Sequence, residues 1–584
     1  MGTPYHVSNS VSKLFFQNTA SAEYEALSVI AKLLAHPQRT LLSSFVQQAA
    51  DRELAARFFL SEIHRQDAAA VLEFLADWTS LIKKVRPVVG YDLEASLRQT
   101  IWRRDGGQCC ISKDYEAYQD GANLLCAYII PPTLLCDDEM AENGKLYRIF
   151  AAFIGQLPLQ SLRSMLDEQP GSSKQDRSNQ LLSLSPAMFE HFKNGRLSLL
   201  ESTPSTTTDT DQYLAKVNEF IPSISVGRFL SVNLNNKASG LASLPNPQLL
   251  KVHSQLADAL AWLEVSEYMR QADDESRNKR TDRTPSPTPD DPAIETLWGQ
   301  WCYQSISQII RYLWTRTPAS FRAFAYMRLA SVASSLYGDT GSARVHQLPF
   351  NYYLRIEPST RAPRHEAEFE ALRLVEKYTT IPAPRGVDTF QHSNHSFLLM
   401  TAISGTRIGP MLATMTDEQL DAVASSLREY TSELRRIPKR TGSDFQICNP
   451  LGGGILDWRI ADSRTKELRF RDEAGFHEHL TEGLFLNENA LEQVSISHGV
   501  KHNIVFTHAD LNMKNILVDK RGKIAGIVDW ECAGWYPEYW EYTKAHFTVR
   551  VSIRWLADVI HQVFPTYNDE LQVENMLTSM RPSW

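Results

Sequence analysis

Cysteine is scarce, with 7 in 584 residues. That is too few for a disulfide framework and implies a reducing compartment. No apolar run approaches the roughly 18 residues of a membrane-spanning helix. The opening stretch, Met1 to Lys13, lacks the apolar core of a signal peptide. A cytoplasmic protein that does not enter the membrane is therefore expected. A cationic excess is missing too: Lys and Arg number 60 against 68 Asp and Glu, a net charge of −8. This argues against a chain that works mainly by gripping nucleic-acid phosphates. There is no repeat at a solenoid period. What remains is ordinary for a globular protein, 43% hydrophobic and 22% charged residues, in a chain too long for one core at roughly 150 residues per domain.

The clearest break is residues 271–292, which carry four prolines and almost nothing apolar. Such a stretch cannot bury enough surface to offset its ordering entropy, so a disordered linker is expected there. It divides the chain into 1–270 and 293–584. A second polar tract, 202–211, reads as a loop. Apolar residues from Leu54 to Trp78 recur at mostly three- and four-residue spacings and predict helices. After the linker, Trp298 to Ser335 is again helical. Ala343 to Ile356 alternates like a strand, and Ala367 to Tyr378 is an amphipathic helix stopped at Ile381-Pro382. Phe397 to Met400 is a short buried strand, and Thr416 to Arg436 is a helix. Strands and a helix on a small lobe followed by a helical lobe give an α+β class.

The segment Ile504 to Glu541 carries the chemistry. His508-Ala509-Asp510-Leu511 follows an apolar strand. Asn515 ends the loop, Ile516 to Val518 is a strand, Asp519 to Lys523 is a hairpin turn, and Ile524 to Val528 returns to end on Asp529. This layout brings Asp510, Asn515 and Asp529 toward one point. Phosphoryl transfer needs a carboxylate to take the proton of the attacking hydroxyl, and hard oxygen ligands to hold Mg²⁺ against the nucleotide phosphates. Asp510 fits the base; Asn515 and Asp529 fit the metal ligands. The bland alternative is a buried hairpin whose carboxylates cap turns. The aromatic run Trp530, Trp535, Tyr536, Tyr539, Trp540 and Tyr542 reads as core packing rather than a substrate-stacking box. Gly452 to Gly454 with Asp457 reads as a mobile loop near an acceptor site.

THADLNMKNILVD followed by IAGIVDWECAGWYPEYWEY resembles the core of the aminoglycoside phosphotransferase-like kinases, in their large fungal branch. LPFNYYLRI, HEAEFEALRLVEKYTTIPAPR, SFLLMTAISGTRI and LREYTSELRRIP extend the resemblance over about Leu336 to Leu571. It implies a bilobal protein-kinase-like fold with ATP or GTP and Mg²⁺ in the cleft, and a small-molecule acceptor. Carried over by position, it implies that Arg355 and Glu368 form the nucleotide-lobe ion pair and that Met400 lies at the nucleotide hinge. Three positions depart from the family pattern. Arg355 stands where Lys is usual, an exchange that is not conservative. Ala509 stands for the Gly of H-G-D, and Met513 for a Pro. The one glycine-loop candidate is Tyr337 to Ser342.

The N-terminal half resembles a fungal HNH-endonuclease-like domain through RRDGGQCCIS at 103–112, Cys126 to Pro131, residues 178–192 and LPNPQLLKVH at 244–253. Such a ββα nuclease needs one His to activate water and another to hold metal. Here Tyr128 and Phe189 stand in those places and Lys193 replaces an Asp, while Asn179 is kept and His191 is two residues off register. A mainly helical, degenerate ββα-containing scaffold is expected. Cys109, Cys110, Cys126 and Cys136 lack CxxC spacing and read as buried thiols. Three functions are carried forward: a phosphotransferase, a nucleotide-binding pseudokinase and an HNH nuclease.

Overall fold

The computed structural model describes residues 20–63, 67–112, 124–166, 177–201, 210–217, 229–238, 241–281, 313–337, 344–440, 442, 444–548 and 553–581. The chain divides into two units, Met1–Arg283 with Pro410–Thr416, and Thr284–Gly409 with Asp417–Trp584. Among the described residues no helix is long and apolar enough to cross a membrane.

The first unit opens with helices α1 (Ala22–Leu33), α2 (Gln38–Gln47), α3 (Arg52–Glu62) and α4 (Ala68–Val85). Ser21, Asp51 and Asp67 cap α1, α3 and α4 by accepting from backbone N–H groups of the first turn, which satisfies donors that would otherwise lack partners. Val71, Phe74, Leu75 and Trp78 form the buried stripe of α4. Leu54 and Leu72, expected in the stripe, are 53% and 48% exposed, because Leu72 sits one position off that face. Trp78 donates through Nε1 to the Leu41 carbonyl at 3.0 Å, and Phe45 and Phe153 pack against it, with Phe74 edge-on to Phe45.

Next come β1 (Val88–Val89), α5 (Ala95–Arg104), β2 (Leu125–Tyr128), α6 (Lys145–Ile154), α7 (Gln156–Leu166) and β3 (Leu181–Leu184). Strand β2 pairs antiparallel with both β1 and β3, with Tyr128 opposite Leu181. Helix α8 (Pro186–Lys193) follows β3 directly, capped by Ser185. Arg104, fully buried, grips Asp105 at 2.7 and 2.9 Å and donates to the carbonyls of Ser178 and Leu181, so it fixes the entry to β3. A second antiparallel sheet is β4 (Leu197–Glu201), β5 (Thr210–Val217) and β6 (Phe229–Asn235). Helix α9 spans Pro247–Thr281. Residues 271–281, expected as disordered linker, are therefore its last turns. Gln, Ala, Glu, Arg and Lys are good helix formers, and extending a packed helix avoids the cost of a new nucleus. Residues 282–292 of the expected linker lie outside the described residues, as do 202–209 of the polar loop. Residues 210 and 211 of that tract open β5. Cys109 and Cys110 are buried and Cys126 half-buried, but Cys136 is exposed, against the expectation of four buried thiols.

The second unit begins with α10 (Ala319–Tyr337); residues 298–312 of the expected helix and 338–342 of the glycine-loop candidate lie outside the described residues. A four-stranded antiparallel sheet follows, with β7 (Val345–Leu348), β8 (Tyr352–Pro358), β9 (Gly386–His392) and β10 (His395–Thr401) ordered β7-β8-β10-β9. The single strand expected over 343–356 is a hairpin, turned at Phe350 and Asn351, whose φ angles are 64° and 61°. Leu354, Phe397 and Leu399 line one face of the sheet and pack with Ala323, Tyr326 and Ala330 of α10. Arg355 pairs across strands with Leu398, and Tyr353 with Met400. Directly paired residues share a face, so Arg355 and Met400 lie on the opposite side.

Helix α11 (Ala362–Tyr378) has Pro in its first turn, where a missing N–H costs nothing. It buries Ala367, Glu368, Ala371, Leu372 and Val375. The strands β11 (Thr406–Arg407), β13 (Ile516–Val518) and β14 (Ile524–Ile527) form one sheet, and β12 (Ile504–Thr507) pairs with β15 (Gly534–Pro537). The longer helices of this part are α12 (Asp417–Arg435), α13 (Glu473–Thr481), α14 (Glu488–His498), α15 (Trp540–Thr548) and α16 (Asn568–Met580).

Candidate functional site

Residues 508–515 link β12 to β13 and are bonded almost atom by atom. Asp510 N–H donates into His508 Nδ1 at 3.2 Å, and His508 Nε2 bonds the Val528 carbonyl at 3.1 Å. The ring is therefore neutral with its proton on Nε2, in line with burial pushing its pKa below the ordinary value. Ala509 has φ 60°, the left-handed region that Gly occupies without strain. The two oxygens of Glu541, on α15, accept from Ala509 N–H at 2.8 Å and Leu511 N–H at 3.0 Å. Asn512 donates to the Asp510 carbonyl and accepts from Lys514 N–H.

Asn515 Nδ2 donates to both the Asp510 carbonyl and Asp510 Oδ2 at 2.9 Å. With its nitrogen so used, its Oδ1 is spare for a cation. Asp529 follows β14 at φ 69° and ψ 63°, and its side chain is 37% exposed. One amide oxygen and one open carboxylate are hard donors that fit Mg²⁺, which keeps several of its waters.

Arg355 reaches Asp529 Oδ1 through Nη2 at 3.1 Å and Glu368 Oε2 through Nη1 at 2.8 Å, with Glu531 Oε2 at 3.6 Å. The three carboxylates, led by Glu368, hold the guanidinium firmly charged. Burial pushes Glu368 up against the pull of Arg355. Burial, with Asp529 beside it, raises Glu531 to about 7. Asp510 is raised to about 6 by burial, with Lys544 pulling the other way and Asp529 and Asp457 adding to the rise. A carboxylate at that value is ionised at neutral pH yet basic enough to take a proton.

The structure thus brings Asp510 to Asn515, and Arg355 to Glu368 and Asp529. Met400 stands apart from this network, 7% exposed on β10, two residues along from the partner of Arg355. Sequence reasoning gave no role to Glu541, Lys544 or Glu531. The signal for the first two was present: with Glu538, they are the charged residues of a run rich in aromatics from Trp535 to Phe547. The expectation for Gly452 to Asp457 needs correcting. Asn449 Oδ1 accepts from Leu451 and Gly453 N–H and its Nδ2 donates to the Gly454 carbonyl, so this loop is pinned, and Asp457 is fully buried. All six aromatics from Trp530 to Tyr542 are buried, as the core reading expects.

No curated protein matches the chain. Among solved structures it is similar to a thermostable mutant of aminoglycoside phosphotransferase APH(4)-Ia in ternary complex with ADP and hygromycin B, at 17% identity and TM-score 0.28, covering 43% of this chain and 89% of that one. It is also similar to aminoglycoside phosphotransferase APH(3'')-Id from Streptomyces rimosus with ADP and streptomycin, at 15% identity and TM-score 0.27, covering 43% and 98%. A third is the streptomycin-ATP-APH(2")-IIa ternary complex, at 14% identity and TM-score 0.26, covering 40% and 77%. The model of the phosphotransferase enzyme family matches residues 339–572, so that this part of the chain carries a domain of that family.

Proposed function

We propose that the C-terminal domain is a phosphotransferase that moves the γ-phosphoryl group of ATP or GTP to a hydroxyl of a small molecule. The observation that carries this is the Asp510–Asn515 pair. Asn515 Nδ2 fixes Asp510 Oδ2 at 2.9 Å and leaves its own oxygen available to a cation, while its backbone carbonyl accepts from Val528 N–H, next to Asp529, at 2.9 Å. In the transfer, the acceptor oxygen forms a bond to the γ-phosphorus, the bond to the nucleoside diphosphate breaks, and the acceptor proton passes to Asp510. Asn515 and Asp529 would hold Mg²⁺, which supplies charge neutralisation at the phosphates when bound. Arg355, paired with Glu368, would face the nucleotide phosphates, and Met400 would line the base. The test is transfer of labelled phosphate from ATP across a panel of hydroxyl-bearing metabolites, with Asp510→Ala as the blank. Loss of transfer in the variant is expected; equal turnover in both overturns the reading.

A second reading has one observation in its favour. Arg355 already bonds Asp529, the carboxylate a metal would need. In a nucleotide-binding pseudokinase, ATP would raise the melting temperature equally with and without Mg²⁺, and no phosphate would move. For the N-terminal unit we infer a silent HNH-like scaffold. Strands β2 and β3 pair antiparallel across the inserted α6 and α7, and α8 follows β3 directly, an arrangement that suits a ββα unit, while Phe189 is packed in the core at 6% exposure, where a metal-binding His would be required. Metal-dependent cleavage of plasmid DNA by the full chain would overturn this.

A further inference from the structure

Lys544 sits on α15 with its side chain 1% exposed. A lysine taken so far out of water must be paired, and its first partner is Asp457, whose Oδ1 lies 3.0 Å from Nζ. Asp457 is itself fully buried and immobilised. Its Oδ2 accepts from Trp540 Nε1 at 2.9 Å, and its Oδ1 also accepts from Arg459 N–H at 2.7 Å. The ammonium is thus anchored from behind by a carboxylate that has no freedom to move. Its other face is 4.0 Å from Asp510 Oδ1. The remaining oxygen of Asp510, Oδ2, is held by Asn515. Each oxygen of the Asp510 carboxylate therefore has its own fixed neighbour, one cation and one amide, and the plane of the carboxylate is set between them.

We propose that Lys544 is a positioning residue: its ammonium, anchored by Asp457, holds the Asp510 carboxylate in the orientation from which it receives the acceptor proton. This rests on the reading of Asp510 as the base. The bland alternative is that Lys544 only neutralises Asp457 in the core. The two make different claims about a chain in which both charges are removed together. In Lys544→Met alone, buried Asp457 loses its nearer cation and keeps only Arg459 Nε at 3.5 Å, so lost stability and lost activity are mixed. In Asp457→Asn with Lys544→Met, the ammonium and its anchoring carboxylate leave together and Arg459 keeps Glu574 at 3.6 Å, but no cation stands beside Asp510 Oδ1.

The experiment compares full-length parent, Lys544→Met and the double variant for melting temperature, for kcat and KM with ATP, and for the Asp510 side chain in crystals of the double variant. Displacement of a catalytic group by about an ångström costs on the order of a hundredfold. We expect the double variant to regain the parent's melting temperature while kcat stays down by about that factor, with KM for ATP within about twofold. Asp510 is expected to rotate away from its parent position. If the double variant recovers kcat with its stability, or if Asp510 keeps its orientation in the crystal, the proposal is overturned. Should the parent itself transfer no phosphate, the phosphotransferase reading falls, and the crystallographic orientation of Asp510 still decides the role of Lys544.

Discussion

At Ala509 and Asp529 the backbone adopts left-handed angles without glycine, φ 60° and 69°. Such positions cost about 1–2 kcal/mol each for an L-residue; one immediately precedes Asp510 and the other is Asp529 itself. The position of Ala509 accepts a glycine freely, and Ala509→Gly should stabilise the protein by about 1 kcal/mol, less whatever the looser unfolded chain takes back. Urea denaturation of parent and variant checks this; a destabilised variant would mean that the methyl group, fully buried in the core around Phe476 and Trp540, contributes more than the strain removes. Arg355 is a sharper case. Its two terminal nitrogens reach different carboxylates, Glu368 and Asp529, and a lysine ammonium is a single point that cannot span both. Arg355→Lys should keep the protein folded but release Asp529 for Mg²⁺, lowering KM for Mg²⁺-nucleotide or, in the pseudokinase reading, making nucleotide binding newly dependent on Mg²⁺. Arg355→Met should cost about 3–5 kcal/mol in chemical denaturation, since Glu368 would be left 2% exposed and unpaired.

At the scale of elements, the loop between β12 and β13 is held by a helix that starts 25 residues after it. Glu541 takes two backbone N–H groups on either side of Asp510, at 2.8 and 3.0 Å. Glu541→Gln replaces one acceptor oxygen by an NH₂ group that faces an N–H donor. A charge-assisted bond of this kind contributes about 1.5–3 kcal/mol, so kcat should fall roughly tenfold or more while α15 stays folded by circular dichroism. An unchanged kcat would show that the loop holds its shape without the clamp. The local part of this arrangement was legible in the sequence, because Asp510, Asn515 and Asp529 lie within one loop-strand-turn-strand unit whose hairpin is marked by Gly522. The ion pair of Arg355 with Glu368 was reached only through resemblance, since strand and helix period say nothing about which residue meets which across elements. The anchoring of Lys544 by Asp457 was not legible at all. The two are far apart in sequence, and a lone aspartate after three glycines reads as exposed loop until the structure shows it buried. The continuation of α9 through 271–281 was missed for a different reason: low hydrophobicity was read as disorder although the same residues favour helix.

For the whole molecule, two sets of buried groups pull stability in opposite directions as pH falls. His477 stacks on His498 with ring centroids 4.0 Å apart, and Glu473 and Tyr539 OH face His477 from 3.8 and 2.9 Å. Burial lowers His477 to about 3, with His498 and His502 adding to the effect, and His498 to about 4. His546, facing His561 at 3.4 Å, is lowered to about 4 by burial. Unfolded histidines take protons near 6.5, while these refuse them until pH 3–4. The unfolded chain thus binds more protons across that window, and stability is lost as pH falls from about 6.5. Carboxyls act the other way. Glu574 is raised to about 7 by burial, against the pull of Arg459. It binds its proton in the folded state first, so its contribution is fully present below about 4.5 and is lost as pH rises through about 7. Near pH 5.5 the sets oppose each other, and deleting one should expose the other. His477→Gln with His498→Gln should gain stability relative to parent on going from pH 6.5 to 4.5, by up to roughly 1.4 kcal/mol per pH unit for each histidine, and by less for His498, whose ring is partly open to screening water. Glu574→Gln should lose the extra stability that protonation gives the parent, so it falls behind at acid pH. Urea unfolding followed by tryptophan fluorescence at pH 6.5, 5.5 and 4.5 separates the two, because Trp530, Trp535 and Trp540 lie in the same unit as both sets. Parallel curves for the parent and the double histidine variant would mean that the stacked pair already takes up its proton in the folded state.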